Sequence, residues 1–224
     1  MIAKTSRFFF LSLLFFCAAG AHAQTMSPAD IKSLLARVRE HRVAAPNLQA
    51  DFEEQRRIHL LDEPIASSGK IFFQAPNHFR LERRGNSPSI TVSDGQVLWI
   101  YYPKFKSAER YALGRRSPLD AAITTITTAL NLQDVENMFH IMGNKTEAGY
   151  DLELTPRNPS MKRIFQKLEL RLNNDLFAER TEMIQPNGDR IITAYTNPAH
   201  ALLPASTFEF TPPSGTDIST PLGK

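Results

Sequence analysis

Cysteine is almost absent from this chain: of its 224 residues only Cys17 carries a thiol. That residue lies in an N-terminal apolar stretch, so the chain after it can form neither a disulfide nor a thiolate metal site. Stability must therefore come from the burial of apolar side chains and from backbone hydrogen bonds.

A strong excess of one charge is also lacking. The formal net charge is +3, and it falls to +1 without Lys4 and Arg7, the two charged residues among the first 23. Nucleic-acid-binding domains usually show a clearly basic face. The composition gives no support to a nucleic-acid partner.

Sequence signatures of catalysis are missing. The chain has no G-x-S-x-G, no H-E-x-x-H, no P-loop and no paired cysteines, and its histidines are scattered singly. Ser93 beside Asp94 could be half of a triad, but Ser93-Asp94-Gly95 is a tight-turn signal, and the turn is the favoured interpretation. We expect no enzyme activity, no cofactor and no metal site.

The chain begins with an apolar run that is too short to span a membrane. Residues 8–20 are mostly apolar, whereas a spanning helix needs about 20 such residues. A basic start and the A-x-A sequence Ala21-His22-Ala23 predict a signal peptide over residues 1–23, cleaved near Ala23, and an exported soluble product. The weaker alternatives are a retained anchor and lipidation of Cys17, which Phe16 disfavours because a small residue should precede the modified cysteine.

The most informative segment, residues 71–103, predicts strands that are apolar on both faces. Strand side chains alternate, so residues 97–102 divide between the two faces as Val97, Trp99, Tyr101 and Leu98, Ile100, Tyr102. Both faces then need cover. This implies either a sandwich or a sheet curled round something apolar.

Helix signals are few. Ser27, Pro28 and Asp30 give a cap, a first-turn proline and a first-turn acid, followed by apolar residues at helical spacing, and this pattern predicts an N-terminal helix. Ser117 begins a similar pattern, which predicts a second helix to Leu132, and a short helix is predicted at 134–138.

Strand patterns are predicted at 48–55, 65–74, 79–83, 89–93, 97–102, 109–113, 150–155, 167–172, 178–184, 190–196 and 208–210.

These elements predict a mainly β, largely antiparallel fold with few helices, one of them inserted mid-chain where it can lie across a sheet face. The strands after the insert look one-sided, and Asn187-Gly188 predicts a hairpin turn. We expect one domain over residues 24–224.

Three blocks carry a family resemblance: APNHFRL at 75–81, VSDGQVLWIYYP at 92–103 and FEFTPPSG at 208–215. Together with Phe52-x-x-Gln55 and Ser68-Gly69-Lys70, they occur in family order and cover essentially the whole mature chain. The sequence resembles the LolA family of periplasmic outer-membrane lipoprotein carriers.

The resemblance implies an unclosed antiparallel half-barrel with a helical lid over an apolar cavity. Such a carrier binds the acyl chains of lipoproteins in the periplasm and catalyses no reaction. The implied partners are an ABC-type, ATP-using release complex in the inner membrane and an acceptor lipoprotein in the outer membrane. A monomer is expected.

The same resemblance implies which residues line the cavity and its lid. They are Leu34 or Leu35 on the first helix, Phe52, Phe79, Leu81, Trp99 and Tyr101 on strands, and Ile123, Ile126 and Leu130 on the lid. For each one the alternative is an ordinary core role, because apolar residues in strands and helical stripes are usually core.

One departure concerns Ala75, where the carriers resembled here usually have an Arg that helps hold the lid closed. Ala cannot donate those hydrogen bonds; Arg80, Arg83 or Arg84 could replace it, or the cargo could differ. The alternatives are therefore a carrier of another amphiphile, such as a glycolipid or an envelope pigment precursor, and a lipid-sensing envelope module.

A second unusual feature is a run of basic residues. It is interpreted as a solvated edge of the sheet, and the alternative is a contact with a lipid headgroup or a partner. The residues are Lys104, Lys106, Arg110, Arg115 and Arg116.

Overall fold

The described strands form one large sheet. The computed structural model describes residues 23–113, Leu132 and 135–221, apart from the side chain of Ser160. The predicted signal peptide up to residue 22 and the predicted lid helix with Ile123, Ile126 and Leu130 lie outside the described residues, as do Arg115 and Arg116.

The strands are β1 Gln24–Thr25, β2 Asn47–Arg57, β3 Ile65–Gln74, β4 His78–Arg84, β5 Ser89–Ser93, β6 Val97–Tyr102, β7 Ser107–Ala112, β8 Phe139–Lys145, β9 Gly149–Pro156, β10 Lys167–Asn173, β11 Ala178–Ile184, β12 Arg190–Ala199 and β13 Asp217–Ser219. The helices are α1 Pro28–Ala44, α2 Val135–Met138 and α3 Pro159–Lys162, with 3₁₀ turns at Pro103–Phe105 and Ala205–Phe208.

The sheet runs in the order β1-β8-β9-β10-β11-β12-β2-β3-β4-β5-β6-β7-β13. Among the described strands every neighbouring pair is antiparallel except β13 with β7. The two ends of this order do not pair with each other, so the sheet is unclosed. The predicted mainly β, antiparallel fold class is confirmed.

Helix α1 begins as the sequence predicts. The Ser27 hydroxyl accepts from the Asp30 amide, and the Asp30 carboxylate accepts from the Ser27 amide at 3.0 Å, which is a complete capping box. The helix then buries its apolar stripe, Ile31, Leu34, Leu35 and Val38, against strands β8–β11.

The sheet is curled. Leu81 on β4 and Leu168 on β10 line the same cavity, although five strand-to-strand steps separate their strands. In a flat sheet those steps would place the two strands about 24 Å apart. The face that carries both residues is therefore concave, and we call it the inner face.

The inner face carries two cores. One lies between α1 and β8–β11 and includes Phe139, Leu154 and Phe165; the other covers β2–β6 and includes Phe73 and Phe79. Tyr195 on β12 packs against both. Burial on this scale supplies the stabilisation that disulfides cannot.

The C-terminal segment differs from prediction. Residues 208–210 do not form a strand; Phe208 closes a 3₁₀ turn, and Glu209 after it is extended without strand pairing. Phe208 lies against His78, and Phe210 against Trp99 and Tyr101, so the segment crosses the outer face of the sheet instead of pairing along an edge. The strand prediction was wrong because Phe208 and Phe210 alternate in order to pack on aromatic side chains of the sheet, and not because the segment forms backbone hydrogen bonds with a neighbouring strand.

Candidate binding cavity

The candidate site is a cavity of about 300 Å³ on the inner face. Its volume lies at the lower end of the range of about 300–1,000 Å³ that is usual for ligand pockets. Strands from both halves of the curled sheet, together with Ile164 from the turn before β10, supply its apolar wall: Phe52, Ile71, Leu81, Leu168, Met183 and Ile191.

Strand register explains why these residues meet. Phe52 is opposite Tyr195 on one side and Gly69 on the other, and Leu81 is opposite Ile71. Side chains directly opposite each other share a face of the sheet. The inner face is therefore apolar and continuous across β12, β2, β3 and β4.

Three charged side chains lie at one end of the cavity. Glu54, on the same face of β2 as Phe52, is buried. Nη2 of Arg83 donates to its two carboxylate oxygens at 3.2 and 3.0 Å. Nε of Arg56 donates to Oε1 of Glu54 at 3.2 Å. The two guanidinium groups supply this buried carboxylate with hydrogen bonds and counter-charge, which offset the cost of its burial.

Hydroxyl groups complete the polar part of the lining. The hydroxyls of Thr181 and Tyr195 lie 3.4 Å apart, and Thr193 lines the cavity beside them. Burial raises the pKa of Tyr195, so its phenol keeps its proton. The cavity combines an apolar wall with hydroxyl donors and one ion-paired cluster.

The structure brings together only part of the predicted site. Phe52 and Leu81 line the cavity, whereas Phe79 is fully buried in the neighbouring core. Leu34 and Leu35 are fully buried between α1 and the sheet. Whether any of them contacts cargo stays a prediction.

Trp99 and Tyr101 are not among the cavity residues. On β6 the inner-face side chains are Leu98 and Ile100, while Trp99 and Tyr101 point outward and pack on Phe210. The prediction that they line the cavity placed them on the wrong face of β6. Both faces of this strand are apolar, so the alternation of its side chains does not show which face is the inner one.

The three arginines considered as substitutes for the Arg missing at position 75 lie on different faces of the sheet. Arg80 points outward and pairs with Glu82, with 2.7 Å between Nε and Oε1, and Arg84 is exposed. Only Arg83 of the three lies on the inner face. Ala75 itself packs at the far end of the inner face, against the core that contains Phe73.

Sequence reasoning missed the wall from β10–β12 and the cluster around Glu54. Leu168 had a usable signal, since it lies between the polar residues Lys167 and Glu169, whereas Ile191 is followed by Ile192 and its face could not be chosen from alternation. The pairing of Glu54 with Arg83 had none, because those residues are separated by 29 positions and meet only through strand register.

The fold and the cavity define the class of the protein: an unclosed antiparallel half-barrel with an apolar cavity on its inner face. The model of the family described as outer membrane lipoprotein carrier protein LolA matches residues 45–211. The chain belongs to the LolA family.

Two relatives agree with this assignment, and a solved structure shares the fold. An outer-membrane lipoprotein carrier protein of Methylibium petroleiphilum is 26% identical over 93% of this chain and 95% of its own length. One of Bordetella avium is 29% identical over 68% of this chain and 71% of its own. An uncharacterized conserved protein from Thermus thermophilus has the same fold, with a TM-score of 0.53, 12% identity, and coverage of 85% of this chain and 98% of that one.

Proposed function

We propose that the protein is a periplasmic carrier that binds the acyl chains of lipoproteins in the inner-face cavity and moves them from the inner to the outer membrane. Membership of the LolA family and the names of the relatives support this. The observation that carries the proposal is the apolar wall formed jointly by both halves of the curled sheet.

The physical task is to keep hydrocarbon out of water and still release it. Each buried methylene gains about 0.8 kcal/mol, so a chain that leaves a membrane needs an apolar wall for much of its length. Phe52, Leu81, Leu168 and Ile191 provide such a wall. Because binding rests on burial and no covalent bond is made, release needs only a partner that offers the chains an apolar site of its own.

The N-terminus and the family support the periplasm as the place of action. The A-x-A sequence before residue 24 supports cleavage near Ala23 and export. Within the described ranges no helix combines the length and apolarity that crossing a membrane requires. We propose a monomer that receives cargo from an ABC-type release complex of the inner membrane and delivers it to an outer-membrane acceptor lipoprotein, with no chemical step of its own.

A second candidate is a carrier of another amphiphile. Two observations favour it: Ala75 replaces the Arg of the carriers resembled, and the cavity contains the ion-paired cluster of Glu54, Arg56 and Arg83. A glycolipid or an envelope pigment precursor would also offer polar groups to such a cluster.

A release assay tests the proposal. Spheroplasts holding a labelled lipoprotein should lose it to the soluble fraction when the purified protein is added. Ile191→Gln, which puts an uncharged amide on the cavity wall, should reduce release, and the matched control Ile192→Gln, one residue away on the opposite face, should not. Release of glycolipid with retention of lipoprotein would replace the first candidate by the second.

A further inference from the structure

Glu54 accepts hydrogen bonds from only one of the nitrogens of the Arg83 guanidinium group. Nη2 donates to both oxygens of Glu54, so the carboxylate engages a single nitrogen instead of the fork of Nε and Nη2 that a bidentate pair would use. Nε of Arg83 is buried and has no hydrogen-bond partner among the described residues. A buried cationic donor left without an acceptor needs an explanation.

The cluster also carries a surplus of positive charge. Arg56 and Arg83 share the one carboxylate of Glu54, so the charged side chains lining the cavity leave one positive charge uncompensated. Glu109, on the inner face of β7, accepts from the Tyr111 hydroxyl at 2.6 Å and does not line the cavity. The surplus positive charge therefore lies on residues that line the cavity, and Arg83 is the less exposed of the two, with 21% of its side chain exposed against 50% for Arg56.

The apolar wall leads directly to this charge. Phe52 precedes Glu54 by two residues on the inner face of β2, and Leu81 precedes Arg83 by two on the inner face of β4. The guanidinium carbon of Arg83 lies 6.0 Å from the centre of the Phe52 ring. A chain lying along Phe52 and Leu81 would bring the group attached to it to Arg83 and Arg56.

We propose that the cavity selects amphiphiles whose acyl chain carries an anionic group, a phosphate or a carboxylate, and that Arg83 with Arg56 binds that group. The inference rests on the second candidate under the proposed function, a carrier of another amphiphile, because the acyl chains of a lipoprotein are attached through neutral ester and amide bonds. It specifies the headgroup of that cargo for the same cavity. Guanidinium groups match these two anions better than any neutral headgroup, since every N–H is a donor and the charge is permanent.

A competition assay with matched single-chain amphiphiles tests the inference. The uncharged probe, a pyrene-labelled fatty-acid methyl ester, is bound to the full mature chain and displaced by hexadecanol, palmitate or hexadecyl phosphate, all below their aggregation concentrations. The three share a chain length and differ in headgroup. We expect the anions to compete about tenfold better than the alcohol, the usual gain from a hydrogen bond to a charged group. Comparing palmitate with hexadecyl phosphate separates a carboxylate site from a phosphate site.

Variants assign the preference to the cluster. Arg83→Met should bring the anions to within about threefold of hexadecanol, and Arg83→Lys should restore part of the preference because it keeps the charge. Glu54→Gln should increase affinity for the anions, since both guanidinium groups then lack a counter-charge; a misfolded variant would not gain affinity. Arg84→Met, exposed on the outer face, is the matched control and should bind like the unmodified protein.

The outcomes are distinguishable. Equal competition by the three amphiphiles, or a preference for anions that Arg83→Met and Glu54→Gln leave unchanged, overturns the inference while acyl binding stands. If the uncharged probe does not bind at all, the proposed carrier function fails with it.

Discussion

The rings of Trp99 and Phe210 lie 5.8 Å apart, centroid to centroid, on the outer face of β6. The Arg110 guanidinium covers the same indole, with Cζ 5.9 Å from the ring centre. The C-terminal segment therefore shields one face of a strand whose other face belongs to the inner core. This arrangement explains how a strand apolar on both sides is accommodated without a second sheet.

Trp99 is the only tryptophan of the chain, so its fluorescence reports on the outer face. We predict that a saturating acyl ligand leaves the Trp99 emission maximum almost unchanged, because the ligand binds on the other side of the sheet. Phe210→Ala should shift the emission to the red by exposing the indole to water. Phe105→Ala, at a side chain that is 74% exposed, is the control and should have no effect. A large blue shift on ligand binding would place the ligand beside Trp99.

Gly69 is required by a close backbone approach. It lies between Phe52 and Arg83 in the strand register, and a Cβ at this position would be 1.8 Å from the Glu82 carbonyl oxygen. Gly69→Ala should lower the free energy of unfolding by about 2 kcal/mol or more, the usual scale for overpacking. Ser68→Ala, at the exposed neighbouring position, should change it little. Urea denaturation measures both, and equal effects would contradict this reading of Gly69.

Arg42 links the C-terminal end of α1 to the turn between β10 and β11. Its side chain is buried, and Nη2 donates to the Leu176 carbonyl oxygen at 2.9 Å, while Cζ lies 5.5 Å from the Phe177 ring centre. Arg42→Met leaves that carbonyl without this donor and should cost about 2 kcal/mol of unfolding free energy.

Arg39, on the same helix, provides the matched control for Arg42. It pairs with Glu136 at 3.0 Å in a partly exposed position. Since such pairs contribute at most about 1 kcal/mol, Arg39→Met should be clearly milder. A comparable loss of unfolding free energy in the two variants, measured by the same denaturation experiment, would show that Arg42 is not a special anchor.

His41 should make stability depend on pH. Burial lowers the pKa of His41, and neighbouring Arg42 and His200 lower it further, while Asp175 opposes the shift. The unfolded chain, with a His pKa of about 6.5, then binds more protons than the folded chain. Stability is therefore complete above that value and is lost as the pH falls from it towards the folded pKa.

The variant His41→Gln isolates this contribution. It should show a smaller loss of unfolding free energy between pH 7 and pH 5 than the unmodified protein. His59→Gln, at an exposed residue, should keep the full loss. The opposite outcome, a steeper pH dependence in His41→Gln, would mean that the folded state favours the charged imidazole.

Much of the fold was accessible from sequence because its signals are local. The cap at Ser27, the turn at Asn187-Gly188 and the alternation of β9 and β10 predicted their elements closely. Strand β8 was missed because its inner face includes Gly143, which gives no apolar signal. Only a small residue fits there, since a Cβ would meet Leu152 at 2.9 Å and the Met26 sulfur at 3.2 Å.

The site was less accessible because it depends on long-range register. Alternation placed Phe52 and Leu81 on apolar faces, but for β6 it gave no reason to choose Leu98 over Trp99 as the inner residue. The cluster of Glu54 with Arg83 arises from the pairing of β2, β3 and β4. A charge within a strand otherwise resembles any solvated residue in the sequence.

The central claim is that acyl chains bind on the inner face, between β2–β4 and β10–β12. Paramagnetic broadening tests it most directly, with a nitroxide near the methyl end of stearate and methyl-labelled protein. We predict that Ile71, Leu81 and Met183 methyl signals broaden early in the titration, and those of Ile90 and Ile192 on the outer face late or not at all. Early broadening at Ile90 and Ile192, with Ile71 and Met183 unaffected, would contradict the account.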